Sequence, residues 1–268
     1  MGTRPYPMFG NWVLGRYVGF SNFRIILVHN RQLTCSFGPT YSRNVDIATS
    51  RDGDVSVVTW NEGENRINLD SLGRLHEILD ELDSVEGPLA VVLIGEGKFF
   101  CNGLDLGRFE PFSDEYYATL KELRRTIGRI LIFPAYTVAA INGHSFAGGA
   151  LISCAFDYRV MREDRGYWCM NEVGIGLAVD VELWPILTNR LPRATAVHAV
   201  TTAHRFAGPE ALARGIADEI VDGEELLSRA VAVAQGYASI DKRALRYQKK
   251  VTHGDVAKSL GFDFKPNP

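Results

Sequence analysis

The sequence predicts an α/β core followed by a mostly helical C-terminal part. The continuous apolar run Leu89 to Ile94 reads as a strand covered on both faces, and Tyr136 to Ile141 reads as a further buried strand. Stretches with helical apolar spacing lie around them. After about Val181 strand-like runs nearly stop. That order suits strand–strand–helix units first and a helical region last.

The body of the chain begins near Val45. Asp54 to Trp60 is β-branched and partly alternating, which predicts a strand. Asp70 is expected to open a helix whose face is Leu72, Leu75, Ile78, Leu79 and Leu82, ended by Gly87-Pro88. Ser113 can cap a second long helix reaching about Ile132, stopped before Pro134. Ala147 to Ala155 reads as a short helix of small residues. Tyr158 to Met161 and Tyr167 to Met170 read as short strands. Beyond them, Pro185, Pro192 and Gly208-Pro209 are expected to break the helices.

Composition narrows the function classes. The chain has 268 residues, 46% hydrophobic and 23% charged, enough for one large domain or one with an appendage. A net charge of −3 gives no global positive field, so no nucleic-acid or anionic-membrane partner is expected. Arg243, Arg246, Lys249 and Lys250 make only a modest basic helix face. No apolar run reaches the roughly 18–20 residues of a membrane span. Cys35, Cys101, Cys154 and Cys169 are scattered and read as free thiols of a reducing compartment. His and Cys do not cluster at zinc spacing, so no metal is expected. The first 43 residues hold five Arg and no Lys, Asp or Glu. They resemble an organellar leader, yet Pro5, Pro7, Gly10, Gly15 and Gly19 would break an amphipathic helix. A cytoplasmic location is the expectation, with import through residues 1–43 left open.

Two glycine turns stand out. Asn102-Gly103-Leu104-Asp105-Leu106 comes shortly after the first buried strand. Asn142-Gly143-His144-Ser145-Phe146-Ala147-Gly148-Gly149 follows the second and opens a helix. Glycine lets a ligand approach the backbone, and a helix start offers N–H groups without partners. Two such turns together can hold one carbonyl oxygen between two N–H donors, which is an oxyanion hole. No Gly-Lys-Ser/Thr follows either turn, and neither fits a dinucleotide fingerprint.

These turns, about 40 residues apart, resemble those of the crotonase (enoyl-CoA hydratase/isomerase) superfamily. Asn65-Arg66-Ile67-Asn68, Asp157-Tyr158-Arg159-Val160 and Glu172-Val173-Gly174-Ile175-Gly176-Leu177 extend the resemblance over roughly residues 45 to 225. It implies a crotonase-type spiral of ββα units with a helical C-terminal region for trimerisation. The implied division is an extension of unknown role at 1–43, an acyl-CoA-binding core at 44–205 and the helical region at 206–268. It implies an acyl-CoA thioester substrate in lipid metabolism, as in fatty acid β-oxidation, and a homotrimer or hexamer. No separate cofactor is implied, coenzyme A being part of the substrate. The thioester oxygen would sit between the N–H groups of Leu104 and Gly148. Asn102, Gly103, Asp105, Leu106, Gly149, Asn171, Asn65 and Ile67 would line the substrate.

The carboxylates point to the reaction. By resemblance a hydratase has two glutamates, and the first of these positions is Leu151 here. Glu172 keeps the second. One carboxylate suits a Δ3,Δ2-enoyl-CoA isomerase, where a single base removes a proton at C2 and returns it at C4 through a dienolate. Apolar neighbours Trp168, Met170, Val173, Ile175 and Leu177 are expected to raise its pKa. Ala178-Val179-Asp180-Val181-Glu182 replaces the family's usual Pro-Gly-x-G-G, making Asp180 and Glu182 second candidates for the proton transfer. His144 is expected to be structural, and Cys101 has no evident base beside it. The alternatives are a hydratase, a thioester hydrolase, a decarboxylase or a non-catalytic acyl-CoA-binding scaffold.

Overall fold

A computed structural model describes residues 45–263 of the chain. The extension at 1–43 and Cys35 lie outside the described residues.

The chain enters through a hairpin of β1 (Ile47–Asp52) and β2 (Val55–Trp60), turned at Gly53 with φ +57°. β1 is exposed and polar after Ile47 and carries no apolar pattern, so only β2 is legible in the sequence. Helix α1 (Leu69–Asp83) follows. Its cap is Asn68, not Asp70. Ser71 N–H donates to Asn68 Oδ1 and Asn68 N–H to Ser71 Oγ, both at 3.0 Å, so the reciprocal pair fixes the start and Asp70 falls in the first turn.

From here strands alternate between two sheets. β3 (Ala90–Gly95), β5 (Tyr136–Ile141) and β7 (Tyr158–Arg162) join a large sheet. Each is followed by a short strand of a small parallel sheet: β4 (Phe99–Cys101), β6 (His144–Phe146) and β8 (Trp168–Cys169). α2 (Asp114–Leu131), capped by Ser113, follows β4, and α3 (Gly148–Ser153) follows β6. This repetition is the expected spiral of strand, strand and helix.

Two single-turn 3-10 segments, Val173–Ile175 and Val181–Leu183, precede α4 (Trp184–Arg190), α5 (Arg193–Thr202) and α6 (Gly208–Ala213). Pro185, Pro192 and Pro209 mark the breaks expected there, each lying at the start of the helix that follows. The first turn needs no proline N–H, and the fixed φ suits it. β9 (Glu219–Val221), α7 (Leu226–Gln235) and α8 (Lys242–Ser259) complete the order.

The large sheet runs β1-β2-β3-β5-β7-β9, parallel except for the β1–β2 hairpin. Side-chain alternation separates its faces. Val57, Val92, Val138, Ala140 and Val160 face α7 through Leu226, Ala230 and Val233. Val58, Val91, Leu93, Ala139 and Met161 face the larger core with α1 and α2. The boundary drawn at 205/206 is therefore not a break in packing: β9 extends the sheet and α7 covers one face of it.

Candidate active site

The two glycine turns meet. At Gly103 φ is +78°, and a Cβ there would lie 3.0 Å from Ala147 Cβ and 3.1 Å from the Phe146 carbonyl. A side chain would push the turns apart. Ile67 clamps the first turn: its N–H donates to the Gly103 carbonyl (2.8 Å), and Asp105 N–H donates to its carbonyl (2.9 Å). In such a parallel bridge the N–H of the intervening Leu104 points the other way. The second turn is tied to β8 through Ala147 N–H and the Cys169 carbonyl (2.9 Å). Ala147 itself holds φ +48°, ψ −115°, a strained conformation for a residue with a Cβ. It caps α3 with no side-chain bond, so Gly148 N–H, first in the helix, has no intrahelical acceptor.

Leu104 and Gly148 line one cavity of ≈ 250 Å³. Its other walls include Tyr116, Leu120 and Leu123 of α2, Leu151 of α3, and Leu177, Val179 and Leu183. Asn171 and Glu172, just after β8, enter the same space. Burial pushes the Glu172 carboxyl up from 4.5 to about 7. Among the described residues its Oε2 has no hydrogen-bond partner, nor has Asn171 Oδ1. Asp180 also lines the cavity, but both its oxygens are engaged. Oδ2 accepts from Arg124 at 2.7 Å and Oδ1 from Glu182 N–H at 3.0 Å. Glu182 pairs with the same arginine. Of the two cavity carboxyls, Glu172 is thus the one with an oxygen free to exchange a proton, in a cavity whose lining also includes Leu104 and Gly148.

The model of the family described as enoyl-CoA hydratase/isomerase matches residues 51–263. The chain belongs to the enoyl-CoA hydratase/isomerase family. It is similar to enoyl-CoA delta isomerase 3 of Arabidopsis thaliana, at 28% identity over 70% of this chain and 82% of the relative. It is also similar to a putative enoyl-CoA hydratase of Thermus thermophilus, at 33% identity over 74% of this chain and 80% of the relative. Among solved structures, human mitochondrial delta3-delta2-enoyl-CoA isomerase aligns with TM-score 0.73 and 27% identity, over 80% of this chain and 86% of that one. Relatives of both activities stand at similar distance, and none of these three supports the cytoplasmic expectation. No helix of the described residues is long and apolar enough to cross a membrane.

Within this family fold, Asn102, Leu104, Leu106, Gly148, Asn171 and Glu172 come together around the cavity. Asn65 and Ile67 do not line it, contrary to the sequence expectation. Asn65 is buried, and its amide braces the backbone of Glu62, Phe99 and Phe100. Ile67 supports the wall from behind, since a Cβ on Gly148 would lie 2.7 Å from its Cδ1. Gly103, Asp105 and Gly149 likewise shape the turns without lining the space. A Cβ on Gly149 would meet the Cys101 carbonyl at 2.3 Å.

The apolar shell expected around Glu172 is found in part. Val173 and Ile175 are 48% and 54% exposed, whereas Trp168 and Met170 are buried. Ile175 and Leu177 line the cavity beside Glu172, and Leu104, Leu151 and Leu183 join them from elsewhere in the sequence. Tyr116 and Arg66 line the cavity and were not singled out. The apolar face of α2 was a signal for the first; nothing marked the second. His144 lies away from the cavity among Phe99, Phe146 and Tyr167, and burial lowers its pKa. Cys101 is fully buried, and desolvation drives its thiol to about 12, so it is no nucleophile. Cys101, Cys154 and Cys169 are all free.

Proposed function

We propose that the protein is a Δ3,Δ2-enoyl-CoA isomerase acting on an acyl-CoA thioester. One observation carries the reading: Glu172 is a half-buried residue whose carboxyl is raised to about 7 and keeps a buried, unpartnered oxygen, while Asp180 is tied to Arg124. Leu151, at the position where the resemblance puts a hydratase's other glutamate, lines the cavity and offers no proton and no site for water.

The thioester oxygen lies between the N–H groups of Leu104 and Gly148. Glu172 takes a proton from C2. The electron pair moves to the oxygen, and the resulting dienolate is stabilised by both donors. Glu172 then delivers the proton to C4, leaving the double bond between C2 and C3. Leu106, Leu120, Leu123 and Leu183 keep water from the dienolate, which favours isomerisation over hydration. Asn102 and Asn171 are the polar contacts proposed for the substrate. Coenzyme A arrives as part of the substrate, so no separate cofactor is invoked. The proposed assembly is a homotrimer or a hexamer, readable by sedimentation.

A 3-enoyl-CoA is the test substrate. Formation of conjugated 2-enoyl-CoA without change of mass, lost in Glu172→Gln with acyl-CoA binding retained, is the expected result. The Thermus relative favours a second reading as hydratase, and a product heavier by one water would install it. Binding without conversion would instead indicate a scaffold.

A further inference from the structure

We propose that Arg124 is a positioning residue that sets the depth of the acyl cavity, and so the acyl length it accepts. The inference rests on reading this cavity as an acyl-CoA site.

The far wall of the cavity is a single segment. Ile175, Leu177, Ala178, Val179, Asp180 and Leu183 all line it. The segment has little backbone anchorage of its own. Leu177 N–H donates to the Glu172 carbonyl (2.9 Å) and Leu183 N–H to that of Asp180 (2.8 Å), both local bonds. Gly176, at the start of the wall, has φ +78°, and a Cβ there would meet nothing within 4 Å. Gly176 thus borders open space, while Val179 and Leu183 of the same wall pack against the core.

Among the described residues, the hydrogen bonds and ion pairs that join 178–182 to another element all come from Arg124. It reaches Asp180 Oδ2 at 2.7 Å and also pairs with Glu182. Arg124 projects from the middle of α2. Leu120 and Leu123, on the same helix, form the near side of the cavity. One side chain therefore ties the far wall to the helix that makes the near wall, and the reach of that tie sets the gap. Its side chain is 18% exposed, so solvent screens the charges less than on an open surface. The cavity's ≈ 250 Å³ is below the roughly 300–1,000 Å³ of pockets that bury drug-sized ligands. With the wall held in, the space suits a short acyl chain. Without the tie, the wall recedes, short chains lose contacts and long ones gain room.

Binding of saturated acyl-CoA reads this without turnover. Dissociation constants of hexanoyl-CoA and hexadecanoyl-CoA are measured by calorimetry for wild type, Arg124→Gln and Arg124→Lys. In Arg124→Gln the affinity ratio should move toward the long chain by about tenfold, within the range of couplings between contacting groups. Arg124→Lys should keep most of the wild-type ratio. Asp180→Asn/Glu182→Gln cuts the tie from the other side and should reproduce the shift, which keeps the test open where Arg124→Gln does not fold. An unchanged ratio in both charge-removing variants, or equal weakening of both ligands, overturns the role of Arg124 while leaving the acyl site intact. Wild type that binds neither ligand overturns both the acyl reading and this one.

Discussion

The energetic cost of an ionised Glu172 can be measured apart from catalysis. Its carboxyl stands at about 7 instead of 4.5, and burial is the main cause. At ~1.36 kcal/mol per pH unit, the ionised form costs the fold about 3 kcal/mol more than the neutral form. The sign follows from linkage. The folded-state pKa lies above the unfolded one, so the folded protein holds the proton more tightly. That contribution is fully present below about pH 4.5 and is lost as pH rises through 7. Replacing Glu172 by Gln removes the ionisable group and keeps the shape. The variant should be more stable than wild type at pH 8, by up to about 3 kcal/mol, and the gain should fade by pH 5. In a domain of this size that is about 2–4 °C of Tm per kcal/mol. Activity moves the opposite way. Wild-type kcat/KM should fall about tenfold per pH unit below 7, because proton abstraction needs the carboxylate. Thermal melts at pH 5 and pH 8, beside a pH–rate profile, test both limbs. A Gln variant that is equally destabilised at both pH values would refute the reasoning, because Glu172 would then be held by bonds to its charged form.

Two other perturbations test the scaffold. Gly149→Ala should destabilise the protein by about 1–3 kcal/mol and cost activity as well, because its Cβ would lie 2.3 Å from the Cys101 carbonyl and spread the two turns; urea unfolding with a parallel rate assay reads both. Asp218→Ala should cost about 3–5 kcal/mol in the same unfolding assay, since Arg159 is buried and donates to Asp218 through Nε (2.9 Å) and Nη2 (3.0 Å), and loss of the carboxylate leaves that charge unpaired.

The sequence was most informative where local chemistry decides the structure. The strand Tyr136–Ile141 is read to the residue because a buried apolar run lies between Pro134 and a glycine turn. Ser113 caps α2 as expected because capping needs only its own hydroxyl and the N–H three residues on, at 3.2 Å. β4 and β6 escape notice because three residues are too few for any period, and the pairing of β4 with β6 and of β6 with β8 is not local. Asp70 reads as the helix opener because the apolar face begins just after it, but the reciprocal bond with Ser71 puts the cap at Asn68.

The candidate site divides along the same line. Its backbone parts, the turns at Gly103 and Gly148, are legible because glycine marks where chain segments must approach closely. Its side-chain parts are less so. Asn65 resembles a family substrate contact, yet a motif says nothing of where an amide points. With φ at +51° and the residue buried, this one turns inward to brace the backbone. Asp180 looked like a rival base because it lies near Glu172 in sequence. Its rivalry ends with a guanidinium 56 positions away, which no local pattern could associate with it. Burial in the cavity raises Glu172 although its neighbours Val173 and Ile175 are about half exposed. The environment of a catalytic carboxyl is set by what the fold brings to it, so a pKa is among the properties least readable from flanking residues.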